Sequence, residues 1–219
     1  MSKQIAIDGP AGAGKSTIAK IVAKELGFIY VDTGAMYRAM ALFMIKSGVK
    51  ADETDKISST CKNADITIGH ENGLQVVYLN GENVNSLIRT EEVGKMASVS
   101  SANGDVRKKL VELQQKLADT TNVVMDGRDI GTVVLPGADL KIYLTASSRI
   151  RAKRRFDELT AKGEKCNLDT IEKDIIDRDY RDMHREISPL KQADDAILVD
   201  TSEMTIDQVA DKIISLYRK

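Results

Sequence analysis

The chain has 219 residues, of which 42% are hydrophobic and 30% charged, and its formal net charge is -1. These values are typical of a folded protein and exclude disordered and fibrous classes. The near-zero charge gives no electrostatic reason to expect a nucleic-acid partner. No apolar run approaches the roughly 20 residues of a membrane span, and the N-terminus lacks a signal-peptide pattern. We therefore expect a cytoplasmic monomer that contacts no membrane.

The first predicted element is a strand, Gln4–Asp8, which ends at a glycine-rich turn. The turn matches the P-loop pattern G-x-x-x-x-G-K-[ST] and opens a helix, which is the context that this motif requires. Its backbone N–H groups and the helix N-terminus favour a polyphosphate, Lys15 is predicted to reach the β- and γ-phosphates, and the Ser16 hydroxyl is predicted to bind Mg²⁺. The predicted ATP-binding residues are Gly9, Pro10, Ala11, Gly12, Ala13, Gly14, Lys15, Ser16 and Thr17.

The hydrophobic pattern then alternates between short apolar runs and helical spacing, which is typical of a parallel sheet covered by helices. Asp169 and Glu172 resemble a capping pair for one helix, and Thr205 with Gln208 has the spacing of a capping box for the last. The further predicted strands cover residues 28–32, 122–125, 140–144 and 196–200, and the predicted helices cover 35–46, 106–119, 147–162, 168–185 and about 205–217.

Residues 66–84 follow another pattern, because β-rich runs alternate there with the turn signals Asn72-Gly73 and Asn80-Gly81. This segment predicts a small antiparallel insertion. The fold class is therefore α/β, with a parallel sheet flanked by helices and an antiparallel piece inserted into it.

Arginines recur at helical spacing in the second half of the chain. Arg178, Arg181 and Arg185 fall on one predicted helix face, and a second group, Arg151, Arg154 and Arg155, precedes them. Solvated helix faces with ion pairs would explain both groups. In a P-loop protein, however, phosphoryl transfer depends on cations that neutralise the transferring group, so we favour a functional role.

Two polar segments follow predicted strands, at the edge of the sheet where open α/β folds bind ligands. In residues 126–129, Arg128 can bind a phosphate in a forked geometry and Asp129 can accept hydrogen bonds from sugar hydroxyls. Residues 32–38 offer a hydroxyl, a phenol and a guanidinium to an acceptor. Both segments are candidates for an acceptor site, with a plain turn as the alternative for each.

Taken together, these motifs resemble bacterial cytidylate kinase over nearly the whole chain. The matching blocks are the P-loop, Asp32-Thr33-Gly34-Ala35-Met36-Tyr37-Arg38, Ile88-Arg89-Thr90, Asp126-Gly127-Arg128-Asp129-Ile130-Gly131-Thr132-Val133-Val134, and Arg178-Asp179 to Arg185. The resemblance implies the P-loop nucleoside triphosphate hydrolase fold and the transfer of the γ-phosphoryl group of ATP to CMP or dCMP with Mg²⁺. It also implies a core of residues 1–37, 106–147 and 168–219, a monophosphate-binding lobe at 38–105 and a lid at 148–167.

The resemblance also implies roles for individual residues. The residues that would contact the cytosine are Thr33, Ser98 and Arg107, and those that would bind the CMP phosphate are Tyr37, Arg38 and Arg128. The sugar would be bound by Asp129, Arg178 and Asp182. Arg185 would lie near the phosphates, and Arg154 and Arg155 would belong to the lid. The implied catalytic residues are Lys15, Arg128, Arg154, Arg155 and Arg185.

Two alternatives stay open at this stage. The acceptor of a P-loop kinase can be another small molecule, such as UMP, a sugar acid or shikimate, and a regulatory module can bind ATP with little turnover. The sequence also leaves open the preference between CMP and dCMP and the Mg²⁺ ligands beyond Ser16, for which Asp126 is a candidate in an indirect role. His70 and His184 have no evident catalytic partner.

Overall fold

The computed structural model describes residues 2–71 and 74–219. The described strands are β1 (Gln4–Asp8), β2 (Ile29–Asp32), β3 (Ile66–Glu71), β4 (Leu74–Leu79), β5 (Glu82–Asn83), β6 (Val123–Gly127), β7 (Leu140–Thr145) and β8 (Ile197–Asp200). The described α-helices are α1 (Lys15–Leu26), α2 (Thr33–Lys46), α3 (Thr54–Thr60), α4 (Glu91–Ser100), α5 (Gly104–Thr120), α6 (Ser148–Ala161), α7 (Leu168–His184) and α8 (Ile206–Tyr217). None of these helices is long and apolar enough to cross a membrane.

Five strands form one parallel sheet in the order β2-β6-β1-β7-β8. The central strand β1 is buried along most of its length because helices cover both faces of the sheet. The predicted α/β class with a parallel sheet is confirmed. Since all five strands run the same way, the P-loop after β1 and the polar segments after β2 and β6 meet at one edge.

The predicted antiparallel insertion is also present, as a three-stranded sheet in the order β3-β4-β5. Asn80 and Gly81 both have positive φ angles, of 51° and 82°, as expected of a tight hairpin turn. The other predicted turn, Asn72-Gly73, lies outside the described residues. The insertion shares one hydrophobic core with α2 and one face of the main sheet, a core that includes Val31, Met40, Ile66, Val77, Leu110 and Met125.

Several element boundaries depend on capping groups. Helix α2 begins at Thr33, earlier than predicted, because the backbone N–H of Ala35 donates to the Asp32 carboxylate (2.9 Å). The capping box of Thr205 and Gln208 is confirmed.

The predicted capping role of Asp169 was wrong. Asn167 caps α7 instead, by accepting from the backbone N–H groups of Asp169 (2.9 Å) and Thr170 (3.0 Å). The Asp169 and Glu172 carboxylates both bind Arg149 of α6. The pair therefore joins two helices.

Candidate active site

The P-loop runs from the end of β1 to the start of α1, and its shape depends on glycine. Gly9, Gly12 and Gly14 have φ angles of 148°, 74° and 86°, in the region that side chains disfavour. A Cβ atom on Gly9 would also lie 2.0 Å from the carbonyl oxygen of Leu144 in β7. The loop is thus fixed against the neighbouring strand at its first residue.

Lys15 is buried at the start of α1, and its ammonium group donates to the Pro10 carbonyl oxygen (2.8 Å). Burial, and next the positive charge of Arg128, lower the pKa of Lys15 to about 7. The Asp126, Asp8 and Asp182 carboxylates act in the opposite direction. Without a ligand, the cationic form of Lys15 is therefore disfavoured, and an anion beside it would restore the charge.

Ser16 and Asp126 meet at the opposite side of the loop. The Ser16 hydroxyl donates to one Asp126 carboxylate oxygen (2.9 Å), and the Tyr30 hydroxyl donates to the other (2.8 Å). Burial, and next the charge of Asp32, raise the pKa of Asp126 to about 6. One hydroxyl and one carboxylate at a phosphate loop are oxygen ligands of the kind that Mg²⁺ accepts together with phosphate and water.

A cavity of about 780 Å³ opens over the P-loop and extends toward α2 and α7. Gly9, Pro10 and Ser98 do not line it. The predicted residues that line the cavity are Ala11, Gly12, Ala13, Gly14, Lys15, Ser16, Thr17, Thr33, Tyr37, Arg38, Arg107, Arg128, Asp129, Arg154, Arg155, Arg178, Asp182 and Arg185. Residues from distant parts of the chain are therefore brought into one site.

Arg107, Asp129 and Arg185 form a buried charge cluster on the far side of the cavity. The Arg107 guanidinium binds the Asp129 carboxylate, and the Arg185 guanidinium lies 3.7 Å from the other carboxylate oxygen. Burial, and next the charge of Arg107, lower the pKa of Arg185. Tyr37 lies beside this cluster, and burial raises the pKa of its phenol to about 12, so the phenol stays protonated. The Arg107 guanidinium carbon also lies over the Tyr37 ring, 5.5 Å from the ring centroid.

Arg128 and Asp182 form a second ion pair, in which Arg128 Nε donates to the carboxylate (2.8 Å). Although burial acts in the other direction, Arg128 lowers the pKa of Asp182. Burial, and next the charge of Arg128, lower the pKa of Arg178 to about 10. The three side chains therefore place two guanidinium groups and one carboxylate within reach of the same ligand.

The remaining predicted acceptor residues lie on α2 and α4. Thr33 donates its hydroxyl to the Asp126 carbonyl oxygen (2.7 Å), and Arg38 donates to the Ile88 carbonyl oxygen (3.1 Å). Burial, and next the charge of Arg89, lower the pKa of Arg38. Ser98 is half-buried on α4, and its carbonyl oxygen accepts from the Ser101 hydroxyl (3.1 Å).

Ala97 of α4, next to Ser98, and Ser101, which follows the end of α4, do line the cavity. Arg107 donates to the Ser101 carbonyl oxygen (3.1 Å). Ser101 was missed by the sequence analysis.

The arginines of α6 differ in their surroundings. Arg154 donates to the hydroxyl (3.1 Å) and carbonyl (2.8 Å) of Thr201, and Arg155 pairs with Glu158 (2.8 Å) on the same helix. Arg151, in contrast, is buried against the P-loop. All three side chains line the cavity.

The prediction that Arg181 shares the face of Arg178 and Arg185 was wrong. Arg181 is exposed, and its Nε donates to the Asp177 carbonyl oxygen (3.0 Å). Helical spacing alone does not identify the face that a neighbouring loop covers.

The sequence analysis also gave no role to Asp8 and Tyr30. Asp8 accepts from the backbone N–H groups of Ile130 (2.8 Å) and Gly131 (2.7 Å), and thereby fixes the segment after Asp129. Burial raises the pKa of Asp8 to about 6, although the two N–H groups act in the opposite direction. The sequence did contain a signal for Asp8 and Tyr30, because each is a polar residue at or near the carboxyl end of a strand.

Comparison with known proteins identifies close relatives over the full length. A family model described as cytidylate kinase matches residues 5–219. A protein from Caldicellulosiruptor saccharolyticus named cytidylate kinase is 51% identical over 215 residues, which are 98% of this chain and 95% of that protein. A protein of the same name from Bacillus licheniformis is 48% identical over 217 residues, which are 98% of this chain and 96% of that protein.

Two solved structures share the fold at low sequence identity. An uncharacterized protein from Eubacterium ventriosum has a TM-score of 0.53 and 13% identity, with 100% of this chain and 99% of that chain covered. A gluconokinase from Sinorhizobium meliloti has a TM-score of 0.50 and 12% identity, with 99% and 91% covered. At these identities the matches establish the fold alone.

Proposed function

The chain belongs to the cytidylate kinase family, and we propose that it transfers the γ-phosphoryl group of ATP to CMP or dCMP, giving CDP or dCDP and ADP. This reaction belongs to pyrimidine nucleotide metabolism. The single observation that carries the proposal is the set of guanidinium groups lining the cavity beyond the P-loop, which are those of Arg38, Arg107, Arg128, Arg178 and Arg185.

These guanidinium groups suit an acceptor that itself carries a phosphate. Arginine binds phosphate oxygens in a forked geometry, and a sugar acid or shikimate would leave most of the cluster without charge compensation. Three carboxylates, Asp129, Asp182 and Asp126, lie among them and suit ribose hydroxyls or a metal-bound water. The cavity therefore favours a nucleoside monophosphate over an acceptor that lacks a phosphate group.

The donor phosphates are proposed to bind at the P-loop. No side chain of the described residues caps the N-terminus of α1, which therefore offers backbone N–H groups and partial positive charge to an anion. An anionic ligand would also favour the protonated, cationic form of Lys15, whose pKa is lowered in its absence. This arrangement supports the proposed contact of Lys15 with the β- and γ-phosphates.

Mg²⁺ is also part of the proposal. The Ser16 hydroxyl and the Asp126 carboxylate would hold the ion, directly or through water, while the phosphates would supply further ligands. When bound, the ion would neutralise phosphate charge. No cluster of three or more His, Cys, Asp or Glu side chains that could hold a metal occurs in the described part of the chain.

The chemistry does not require a strong general base. The second pKa of a phosphate monoester is near 6, so the attacking oxygen is mostly deprotonated at neutral pH. Lys15, Arg128 and Arg185 would neutralise charge and align the two phosphates. Arg154 and Arg155, at the donor end, would complete the charge compensation and help to exclude water when the proposed lid at 148–167 closes.

Recognition of the cytosine is proposed for Thr33, Arg107 and Ser98. Thr33 and Arg107 both line the cavity near Tyr37, which supports the first two assignments. Ser98 lies one residue from the lining residue Ala97, so its contact would require a small movement of α4. The division into core, lobe at 38–105 and lid is a proposal of the same kind.

We also propose a cytoplasmic location and a monomeric state. The two cysteines, Cys61 and Cys166, are free thiols, as is usual in a reducing compartment.

The test is ADP release from ATP and Mg²⁺ in the presence of CMP, dCMP, UMP, AMP, GMP or no acceptor. We expect strong stimulation by CMP and dCMP, weaker stimulation by UMP and negligible rates with the purines. Equal release with and without acceptors would refute the proposal, and preference for UMP or a purine would reject the base-binding roles of Thr33, Ser98 and Arg107.

A further inference from the structure

A buried ion pair joins α6 to α7 beside the P-loop. An Arg151 Nη atom lies 2.6 Å from an Asp179 carboxylate oxygen, and the two side chains are only 8% and 9% exposed. The Arg151 Nε donates to the Ala146 carbonyl oxygen (2.9 Å), so the guanidinium is held on two sides. Neither residue has a role in the function proposed above.

Both members of the pair also bind the backbone of one P-loop residue. The N–H of Ala11 donates to the second Asp179 carboxylate oxygen (3.0 Å), and the carbonyl oxygen of Ala11 accepts from Arg151 (2.7 Å). The next residue, Gly12, packs so closely that a Cβ atom there would lie 3.2 Å from the Arg151 Cβ. The peptide groups of Ala11 are therefore fixed by side chains from two helices that lie far along the chain.

If only its negative charge is considered, Asp179 is unfavourably placed for the binding of a phosphate ligand at the P-loop. A carboxylate beside a site for a polyphosphate repels the ligand, and charges in a buried site are weakly screened. Arg151 neutralises that carboxylate. A second link between the same two helices, Arg149 with Asp169 and Glu172, is exposed and far less costly. Joining α6 to α7 therefore does not explain why a buried pair touches Ala11.

We propose that Arg151 and Asp179 are positioning residues that hold Ala11, and through it the phosphate-binding loop, in the conformation that binds ATP. The inference rests on the proposed function, since it assumes that the P-loop binds the donor nucleotide. The pair would act through the hydrogen bonds to the Ala11 backbone. It also links the first turn of α6, where the proposed lid begins, to the loop.

The test uses Asp179→Ala, Asp179→Asn, Arg151→Ala and the double variant Arg151→Ala/Asp179→Ala. Mg·ATP affinity is measured by calorimetry without an acceptor, and KM values for ATP and CMP are measured separately. A hydrogen bond to a charged group corresponds to about a tenfold to hundredfold change in affinity. We therefore expect Asp179→Ala to weaken ATP binding by about tenfold or more, while KM for CMP changes by less than about threefold.

The sign of the effect separates this role from a simple charge effect. If Asp179 acts only as a negative charge, Asp179→Ala will bind ATP more tightly than the wild type, and the inference is overturned. We expect Arg151→Ala to be the weakest ATP binder, because it leaves the carboxylate uncompensated beside the phosphates. The double variant should recover part of that loss, whereas independent losses that add would contradict the inference.

Arg149→Ala is the matched control, because it breaks the exposed link between the same helices without touching the P-loop. Its ATP affinity should equal that of the wild type, and a loss as large as that of Asp179→Ala would contradict the inference. If Asp179→Ala does not fold, Asp179→Asn decides the question, because its amide oxygen still accepts from the N–H of Ala11. We expect its ATP affinity to lie between those of the wild type and Arg151→Ala. An affinity equal to that of the wild type would overturn the inference. A wild type that shows no CMP-dependent ADP release would instead reject the proposed function.

Discussion

Under the proposed function, the cavity has a donor half at the P-loop and an acceptor half beyond it. The charged groups of the two halves are bound in different ways. In the donor half, Lys15, Arg151 and Asp179 bind backbone groups of the P-loop itself. In the acceptor half, guanidinium and carboxylate groups from different helices and loops bind one another. Several buried polar atoms there make no hydrogen bond within the described residues, namely Tyr37 Oη, Arg107 Nε, Arg178 Nε and Arg185 Nη2.

This difference indicates how each half prepares for its ligand. An unpaired buried donor costs about 1–3 kcal/mol, and a ligand that accepts its hydrogen bond removes that cost. Under the proposed function, the acceptor half therefore offers free N–H and O–H groups to a phosphate and a sugar, whereas the donor half is already hydrogen-bonded to its own backbone. Variants in the donor half should chiefly impair turnover and ATP binding, and variants in the acceptor half should couple stability to the acceptor.

The largest expected effect is that of Lys15→Ala on turnover. Loss of a cation that stabilises the transferring phosphoryl group reduces kcat by about a hundredfold to a thousandfold. Because burial already disfavours the Lys15 ammonium, the free energy of unfolding should change by less than about 1 kcal/mol. Steady-state kinetics and urea denaturation provide the two measurements. Lys24→Ala, an exposed position on the same helix, is the control, and equal turnover in the two variants would remove Lys15 from the mechanism.

The second prediction concerns the buried pair of Arg107 and Asp129. Asp129→Ala leaves the Arg107 and Arg185 guanidinium groups without that carboxylate, which should lower the free energy of unfolding by about 3–5 kcal/mol. CMP should then raise Tm less than it does in the wild type, because the proposed sugar contact is lost. Lys46→Ala, which breaks the exposed pair with Glu82, should cost less than about 1 kcal/mol. Equal losses would show that the acceptor half does not depend on its buried charges.

The third prediction uses pH to test Asp8, which supports the backbone of both halves. Its pKa is raised from the ordinary 3.8 to about 6, so its contribution to stability is fully present below pH 3.8 and is lost as the pH rises to about 6. Asp8→Asn has no proton to lose there. The difference in unfolding free energy between wild type and Asp8→Asn should therefore shift in favour of the variant by up to about 3 kcal/mol from pH 4 to pH 7. A shift in favour of the wild type would mean that the two N–H donors dominate and lower the pKa.

The smallest expected effect is that of Tyr37→Phe. The phenol has no hydrogen-bond partner in this structure, so its removal should leave stability unchanged or raise it by up to about 1 kcal/mol. CMP affinity should fall by about tenfold, because the donor is proposed to bind the acceptor phosphate. Calorimetry with CMP and thermal denaturation without it measure both. Lower stability with unchanged CMP affinity would make Tyr37 a structural residue.

The comparison of the halves also explains what the sequence could predict. The donor motif is contiguous, so its spacing alone predicted Lys15 and Ser16 at a strand–helix junction. The sheet was predictable for the same reason, because its buried strands are local apolar runs. Helices α3 and α4 were not predicted, since their short polar segments depend on packing against other elements.

The acceptor half is assembled from side chains that only the fold brings together. Residues 33, 107, 129 and 185 gave no local signal that they meet. The role of Arg107 came from the resemblance to a family alone, whereas residues 33 and 129 were also candidates because they follow predicted strands. The contacts of Arg151 and Asp179 with Ala11 were invisible for the same reason, since they span 140 and 168 positions of the chain. The distinction between Arg178 and Arg181 likewise required knowledge of which face of α7 is covered.

The hydrophobic core shared by the inserted sheet and the main sheet limits how this enzyme could be shortened. Val77 and Ile66 of the insertion pack in the same cluster as Val31 and Met125 of the main sheet. Excision of residues 66–84 would therefore expose apolar side chains of α2 that now share a core with the insertion. A minimal version of this kinase would need new polar residues on α2.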